Sequence, residues 1–327
     1  MNKIFKVIWS KSKQCYVVVS EMAKNKTGKK KIVVASILAA LAIQVGVVDV
    51  SAADRSTGTL EGGTVGVTGL TNGLAIGNEA NSGSNQSIAI GYYSVANAAE
   101  ANPALPAIAV GAGAHATGQS TVALGLSAQA TSGSATALGA KSIASADTAV
   151  AVGGGAQATG GYASALGADA IASGNDSTAF GHGTAASGGS STALGSRAKA
   201  GGTAGVGIGM LANATKAYSV AIGGQSSSTA DNSIAIGKES SVTGENGIAI
   251  GASTSSKGAN GVAVGTKGTK VDLGGVAVGQ AAAANKFNSV AVGMNVTADG
   301  DNSVALGGNA TASSDGTIAI GSYGSTK

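Results

Sequence analysis

The side chains best suited to acid–base work or metal binding are two histidines, His115 and His182, and one cysteine, Cys15, in a chain of 327 residues. Their spacing argues against both roles. The histidines fall at different phases of the repeat described below, four and one residues after a recurring glycine, so they do not stack into a pair that could share a proton or a metal. Gly181-His182-Gly183 followed by Ala186 has the formal spacing of a nucleotide-binding loop. It lies in phase with the repeat and opens no helix, which removes the context that loop needs. The glycine-aspartate nonapeptide of calcium-binding solenoids is missing. The Asn213 and Asn309 sequons read as by-products of turn composition, and Tyr92, Tyr93, Tyr162, Tyr218 and Tyr323 fall at turns or outward positions. No catalytic residue, cofactor or metal is expected.

Composition points instead to a scaffold. Glycine fills 54 positions, aromatics make up 3% and charged residues 11%, while small and β-branched apolar residues dominate. Disorder is excluded by the low charge and the two prolines, and collagen by the lack of a Gly-X-Y period. The net charge of +4 is unevenly placed. Residues 1–31 hold nine lysines against Glu21, and the apolar run Ile32 to Val48 leads into Val50-Ser51-Ala52-Ala53. This is a basic segment, an apolar segment and a small-residue cleavage site at Ala52 or Ala53. We expect residues 1–53 to be a helical, cleaved leader; an uncleaved membrane anchor is the competing reading, since the apolar run is at the short edge of a bilayer span. The remainder has 11 basic and 14 acidic residues, a net −3, and no cysteine. Nucleic acid binding therefore loses its only support, and disulfides cannot stabilise the exported chain.

A short apolar segment ending in glycine recurs eighteen times, from Leu74-Gly77 to Ile318-Gly321. Sixteen of the seventeen intervals are 14 residues and one is 20. Fourteen residues accommodate two short strands and two turns, so the expected fold is an all-β solenoid of stacked coils covering 71–327, with 54–70 as an N-terminal cap or linker. Alternation places Ile88 and Ile90, Val262 and Val264, or Val290 and Val292, on one strand face, which we assign to the coil core. Small residues three and five after the glycine form the opposite wall. The residue between the Ile/Val pair is Ala in seventeen units, including Ala89, Ala123, Ala235, Ala249, Ala263, Ala291 and Ala305. A strand apolar on both faces is usually buried on both, so these alanines are expected to form the interface of a parallel homo-oligomer. Asn232, Asn246, Asn260, Asn288 and Asn302, nine after the glycine, suit a left-handed turn and an asparagine ladder.

The unit (Asn/Asp)-Ser-(Val/Ile)-Ala-(Ile/Val)-Gly, as at Asn232 to Gly237, Asn288 to Gly293 and Asn302 to Gly307, resembles the head repeat of trimeric autotransporter adhesins of the Yersinia adhesin type. The first 24 residues, from Met-Asn-Lys-Ile through Val-Val-Val-Ser-Glu, resemble the extended signal peptide of such proteins. The resemblance implies a left-handed parallel β-roll, a homotrimer, export to the outer membrane and cell surface of a Gram-negative-type bacterium, and a head that binds host matrix such as collagen, fibronectin or laminin, host cells or other bacteria. Virulence and biofilm roles follow from it in the same way. A passive spacer that projects other binding domains is the alternative. Family members continue into a stalk and a C-terminal membrane barrel; neither follows here, so a fragment or a truncated gene is expected. The 20-residue interval holds an insert at 98–106 with Asn102, Pro103, Leu105 and Pro106. Proline does not donate to a ladder, so the insert should loop out and is a candidate ligand contact.

Overall fold

In the computed structural model the described residues are 5–10, 15–20, 58–60, 73–98, 105–323 and 325–326. Contacts divide the chain into two units, Met1–Ser51 and Ala52–Lys327. The first contains an antiparallel hairpin of β1 (Phe5–Ser10) and β2 (Cys15–Ser20), with Phe5 opposite Ser20 and Ser10 opposite Cys15. The expected helix is corrected over these residues. Val7, Ile8, Trp9 and Tyr16 to Val19 are β-branched or aromatic, and pairing such runs across a short connection favours strands. The apolar run at 32–48 and the cleavage residues Ala52 and Ala53 lie outside the described residues.

The second unit is the expected all-β parallel solenoid with a 14-residue spacing. Each coil holds a three-residue strand before the recurring glycine and a two-residue strand four and five after it, as in Ile88–Ile90 and Val95–Ala96. Every strand pairs in parallel with its counterpart one coil on, so Ala123 sits between Ala109 and Ala137, and Ala130 between Ala116 and Ala144. Two sheets result, each a single ladder. The longer one begins one rung early, where Gly58–Leu60 pairs with Leu74–Ile76. The ladder also crosses the 20-residue interval undisturbed, with Ile88 opposite Ile108. The two coils on either side of the extra residues are therefore in normal register. Of the insert, 99–104 lies outside the described residues, which includes Asn102 and Pro103; Leu105 is half-buried and Pro106 exposed.

The interior reverses the expected orientation of the long strand. Ala89, Ala123, Ala235, Ala249, Ala263, Ala291 and Ala305 are all 0% exposed within the single chain. Ile88, Ile90, Val262, Val264 and Val290 are half-buried on the outside, and Val292 is exposed. The alanines are therefore the coil core, and the Ile/Val pair faces away from it. The physical reason is width. The opposite wall, three and five after the glycine, is inside as expected, at Ala128 and Ala130 for example. With both sheets drawn together by two-residue turns, the gap admits the methyl groups of the long-strand alanines facing side chains no larger than valine, as at Val242 and Val296; paired isoleucines would force the sheets apart.

Serine and threonine enter this dry space because each corner offers a carbonyl. Three after the glycine, Ser94, Ser142, Thr184 and Ser226 donate back to the glycine carbonyl at 2.9 Å. At the other corner Ser219, Ser289 and Ser303 donate to the carbonyl three residues earlier at 2.6, 2.8 and 2.6 Å. A buried hydroxyl with such a partner costs little. Among the described residues Ser177 and Ser191, at this second corner, have Oγ atoms without one.

The recurring glycine is required by backbone shape. Gly153 has φ +131°, and a Cβ there would stand 2.5 Å from the carbonyl oxygen of Gly167 in the next coil. By contrast, the left-handed corner positions two and nine after the glycine accept side chains: Glu79, Arg197, Ala204, Asn232 and Asn302 have φ between 52° and 57°. The asparagines bond along the stack as expected, Asn246 Nδ2 donating to Asn260 Oδ1 at 3.3 Å and Asn288 to Asn302 at 3.5 Å. A second such link, Asn295 to Asn309 at 3.4 Å, runs along the other corner.

One coil departs from the pattern while keeping its length. After Gly265 the first turn gains a residue, Thr266-Lys267-Gly268, and the second loses one, so the short strand is Lys270–Val271 rather than 269–270. Strict spacing would point Lys270 into the interior. The slip leaves Lys270 exposed and buries Val271 instead, avoiding an unpaired buried charge.

These contacts set two expectations for thermal unfolding. Gly153→Ala should destabilise the solenoid by about 2 kcal/mol or more, because strain at a glycine-only φ adds to the clash. Gly316→Ala, with φ +69° and nothing within 4 Å of the added Cβ, should cost about 1 kcal/mol. Equal melting temperatures for the two variants would contradict the assignment of the glycine ladder.

Candidate functional site: an uncharged sheet face

Three surfaces run the length of the stack. The outer face of the short-strand sheet shows one residue per coil, of mixed type: His115, Gln129, Ile143, Gln157, Ile171, Ala185, Lys199 and Asn213 in succession. The corners carry the remaining charge. Acidic and amide side chains there are partly occupied by the scaffold itself: Asp147 Oδ1 accepts the Gly133 N–H at 3.1 Å, Asp231 that of Ala217 at 3.0 Å, and Asn285 donates to Asp299 at 2.6 Å. Among the described residues the one ion pair is local, Lys238 to Glu239 at 3.3 Å.

The outer face of the long-strand sheet is different in kind. Its two rows, three and one before the glycine, comprise thirty-six side chains and no charge; thirty-two are Val, Ile, Leu or Phe. None is buried within the chain, and Leu138 (45%), Phe180 (51%) and Ile250 (39%) are well exposed. Such a face is a continuous apolar strip along eighteen rungs, whereas the patches usual on a monomer cover about a few hundred Å². Chemically it offers burial and shape, with neither a nucleophile nor a proton carrier. This is the surface that the sequence reasoning assigned to the core. Phe180 was the available signal, since a phenyl ring does not fit a coil whose other wall is alanine.

The residues weighed for chemistry remain apart. His115 lies on a short strand and His182 at a corner, both exposed. No group of three or more His, Cys, Asp or Glu side chains is placed to hold a metal among the described residues. A groove of about 510 Å³ opens at the second corner between Gln119, Asp147 and Tyr162. At the first corner, the rings of Tyr92 and Tyr93 meet edge to face with centroids 4.3 Å apart. The Tyr93 phenol is pushed up to about 12, chiefly by its hydrogen bond to Glu79 and then by Tyr92. Ionising it would set a phenolate against the Glu79 carboxylate, so the neutral form is favoured.

Two substitutions separate the inside of the long strand from its outside. Ala235→Lys places a cation in a methyl-sized interior and should unfold the neighbouring coils, at a cost of about 3 kcal/mol or more. Ile236→Lys should leave the circular dichroism spectrum and melting temperature nearly unchanged in the isolated chain, because its side chain already faces outward. In an alkaline absorbance titration, Glu79→Gln should lower the Tyr93 midpoint; an unchanged curve would remove Glu79 as the cause.

Comparison with known families agrees with this architecture. Residues 1–47 match the extended signal peptide of the type V secretion system. Nine consecutive segments, from 71–94 to 298–323, match the YadA head domain repeat, each covering two copies. No curated protein matches. Adhesin head repeats on a β-solenoid are a non-enzymatic kind of family, and this leader with these repeats marks export to the cell surface of a Gram-negative bacterium. The chain belongs to the YadA head repeat family and is a trimeric autotransporter adhesin-like protein.

Proposed function

We propose that the chain is the adhesive head of a surface protein and that its copies associate in parallel through the uncharged face of the long-strand sheet, three to an assembly as its family relationship suggests. The observation that carries the self-association is that face: rows of half-exposed Val, Ile and Leu with no charge along the whole stack. Its rungs, at about 4.8 Å each, extend roughly 85 Å, and covering it would bury an area typical of obligate assemblies. Ala89, Ala123 and their equivalents support the assembly indirectly, by drawing the two sheets of each coil together.

With the apolar face covered, the short-strand face and the corners remain free. They are the surfaces left for a ligand, namely host matrix proteins such as collagen, fibronectin or laminin, host cells, or other bacterial surfaces. Leu105 and Pro106, the described end of the insert at the second corner, are the proposed contact. The chain acts without catalysis and without a cofactor in this reading.

Sedimentation of the exported chain should give a mass several times that of one copy, and Ile236→Lys combined with Ile250→Lys should reduce it to the monomer with β-structure retained. A monomeric unsubstituted chain would overturn the self-association. Immobilised collagen, fibronectin, laminin and bacterial cells then test adhesion. Binding lost on replacing Leu105 and Pro106 with serine would support the head assignment, and failure on every surface would favour a passive spacer.

A further inference from the structure

A face built from eighteen near-identical rungs has a difficulty that a face of irregular sequence does not. Two copies shifted by one coil, or by five, still bring aliphatic rows together. Apolar burial alone therefore selects the face without selecting the alignment. The outward rows of this chain are not uniform, however. In the row three before the glycine, hydroxyl residues occur in four coils, all in the middle of the stack: Thr136, Ser164, Thr178 and Thr192. The row one before the glycine carries residues without β-branching beside them, Leu138, Leu166, Phe180 and Leu194, and Phe180 is the one aromatic side chain among the thirty-six. All eight point outward in the isolated chain.

We infer that this block, Thr136 to Leu194, is the register key of the self-association proposed above: it fixes copies at zero shift. The inference rests on that association, and its occupant is a second copy of the same chain. A partner covering the face must itself be uncharged and as long as the face, which the same face of another copy satisfies. A hydroxyl covered by an apolar wall loses its water and needs a bond in exchange. At zero shift, hydroxyls from different copies lie at the same level, and each can both donate and accept. A shift of one coil sets a hydroxyl level against a valine level four times, at 122 with 136, 136 with 150, 150 with 164, and 192 with 206. The same shift moves Phe180 to the level of a leucine, so the space left for rings at one level is empty and the next is overfilled. Shifts of two, three and four coils leave two, one and one hydroxyl levels matched, and shifts of five or more bring all four against aliphatic ones. The block thus acts against misalignment more than it adds attraction.

The exported part of the chain has no cysteine, which makes the alignment directly readable. With Cys15→Ser throughout, full chains are prepared carrying a single Val262→Cys or a single Val276→Cys, each with its own affinity tag, and a parallel pair uses Val264→Cys and Val278→Cys in the other row. A disulfide requires Cβ atoms about 3.8 Å apart, so a one-rung offset of about 4.8 Å is distinguishable. Co-assembled unsubstituted blocks should give links between like positions and at most a trace between 262 and 276 or between 264 and 278. Replacing Thr136, Ser164, Thr178 and Thr192 with Val and Phe180 with Leu should raise the unlike links several-fold at unchanged oligomer mass. Unlike links already abundant with the block intact, or absent after its replacement, would overturn the register key while leaving the association standing. A monomer in sedimentation would instead overturn the association itself.

Discussion

The narrow gap between the two sheets of each coil governs the rest of the molecule. Fourteen residues that must turn twice leave room for little more than a methyl or hydroxymethyl group from each wall. Ala, Ser and Thr therefore occupy most of the interior, with Val242, Val271 and Val296 on the short-strand wall as its largest side chains, and every apolar side chain larger than Ala on the long strand is directed outward. A globular domain hides its isoleucines inside. Here the interior is too thin to hold them, so the solenoid is stabilised chiefly by its backbone ladders and by close methyl packing, and its strongest hydrophobic surface is left facing out. The repeated hexapeptide can be read residue by residue in these terms: Asn for the left-handed corner, Ser to bond that corner from inside, Val out, Ala in, Ile out, and Gly for a φ no other residue adopts.

Much of this was legible before any coordinates. The 14-residue phase gave the coil, the short strands and the parallel ladders, and Asn232 to Asn302 marked one left-handed corner. The leader and the repeat together identified the family. Orientation was not legible in the same way. Period-two alternation divides a strand into two faces but carries no label for which is inside, and here both faces lack charge, so the usual exclusion argument is silent. Size carried the missing label. Phe180 outward and Ala179 inward is the sole arrangement a coil of this width accepts, and Lys270, five residues after a glycine, showed that the short strand's phase could slip. The hairpin at Phe5–Ser10 and Cys15–Ser20 was missed because apolar residues in an export leader suggested helix, whereas their β-branched and aromatic character favoured strands.

The separation of tasks between surfaces follows from the same constraint. Interior positions are fixed by volume and the glycine positions by backbone conformation, while the outward long-strand rows lack charge from one end to the other. Variation is left to the corners and the short-strand face, which is where charges, tyrosines and the insert are found. Those surfaces can change from coil to coil without disturbing a ladder, since each coil bonds only to its neighbours. The scaffold's uniformity and the diversity of its free edges are thus two results of one geometry.

The coil after Gly265, with one turn lengthened and the other shortened, shows what the stack measures. Closure is a condition on the whole lap of the chain, so a residue gained at one corner can be offset by a residue lost at the other. This lap behaves like a line of verse whose syllable count is kept while its internal pause moves. Such a scaffold can absorb paired insertions and deletions that would shift every later position in an ordinary sheet, and its sequence can drift in length locally while its reach from the cell stays constant.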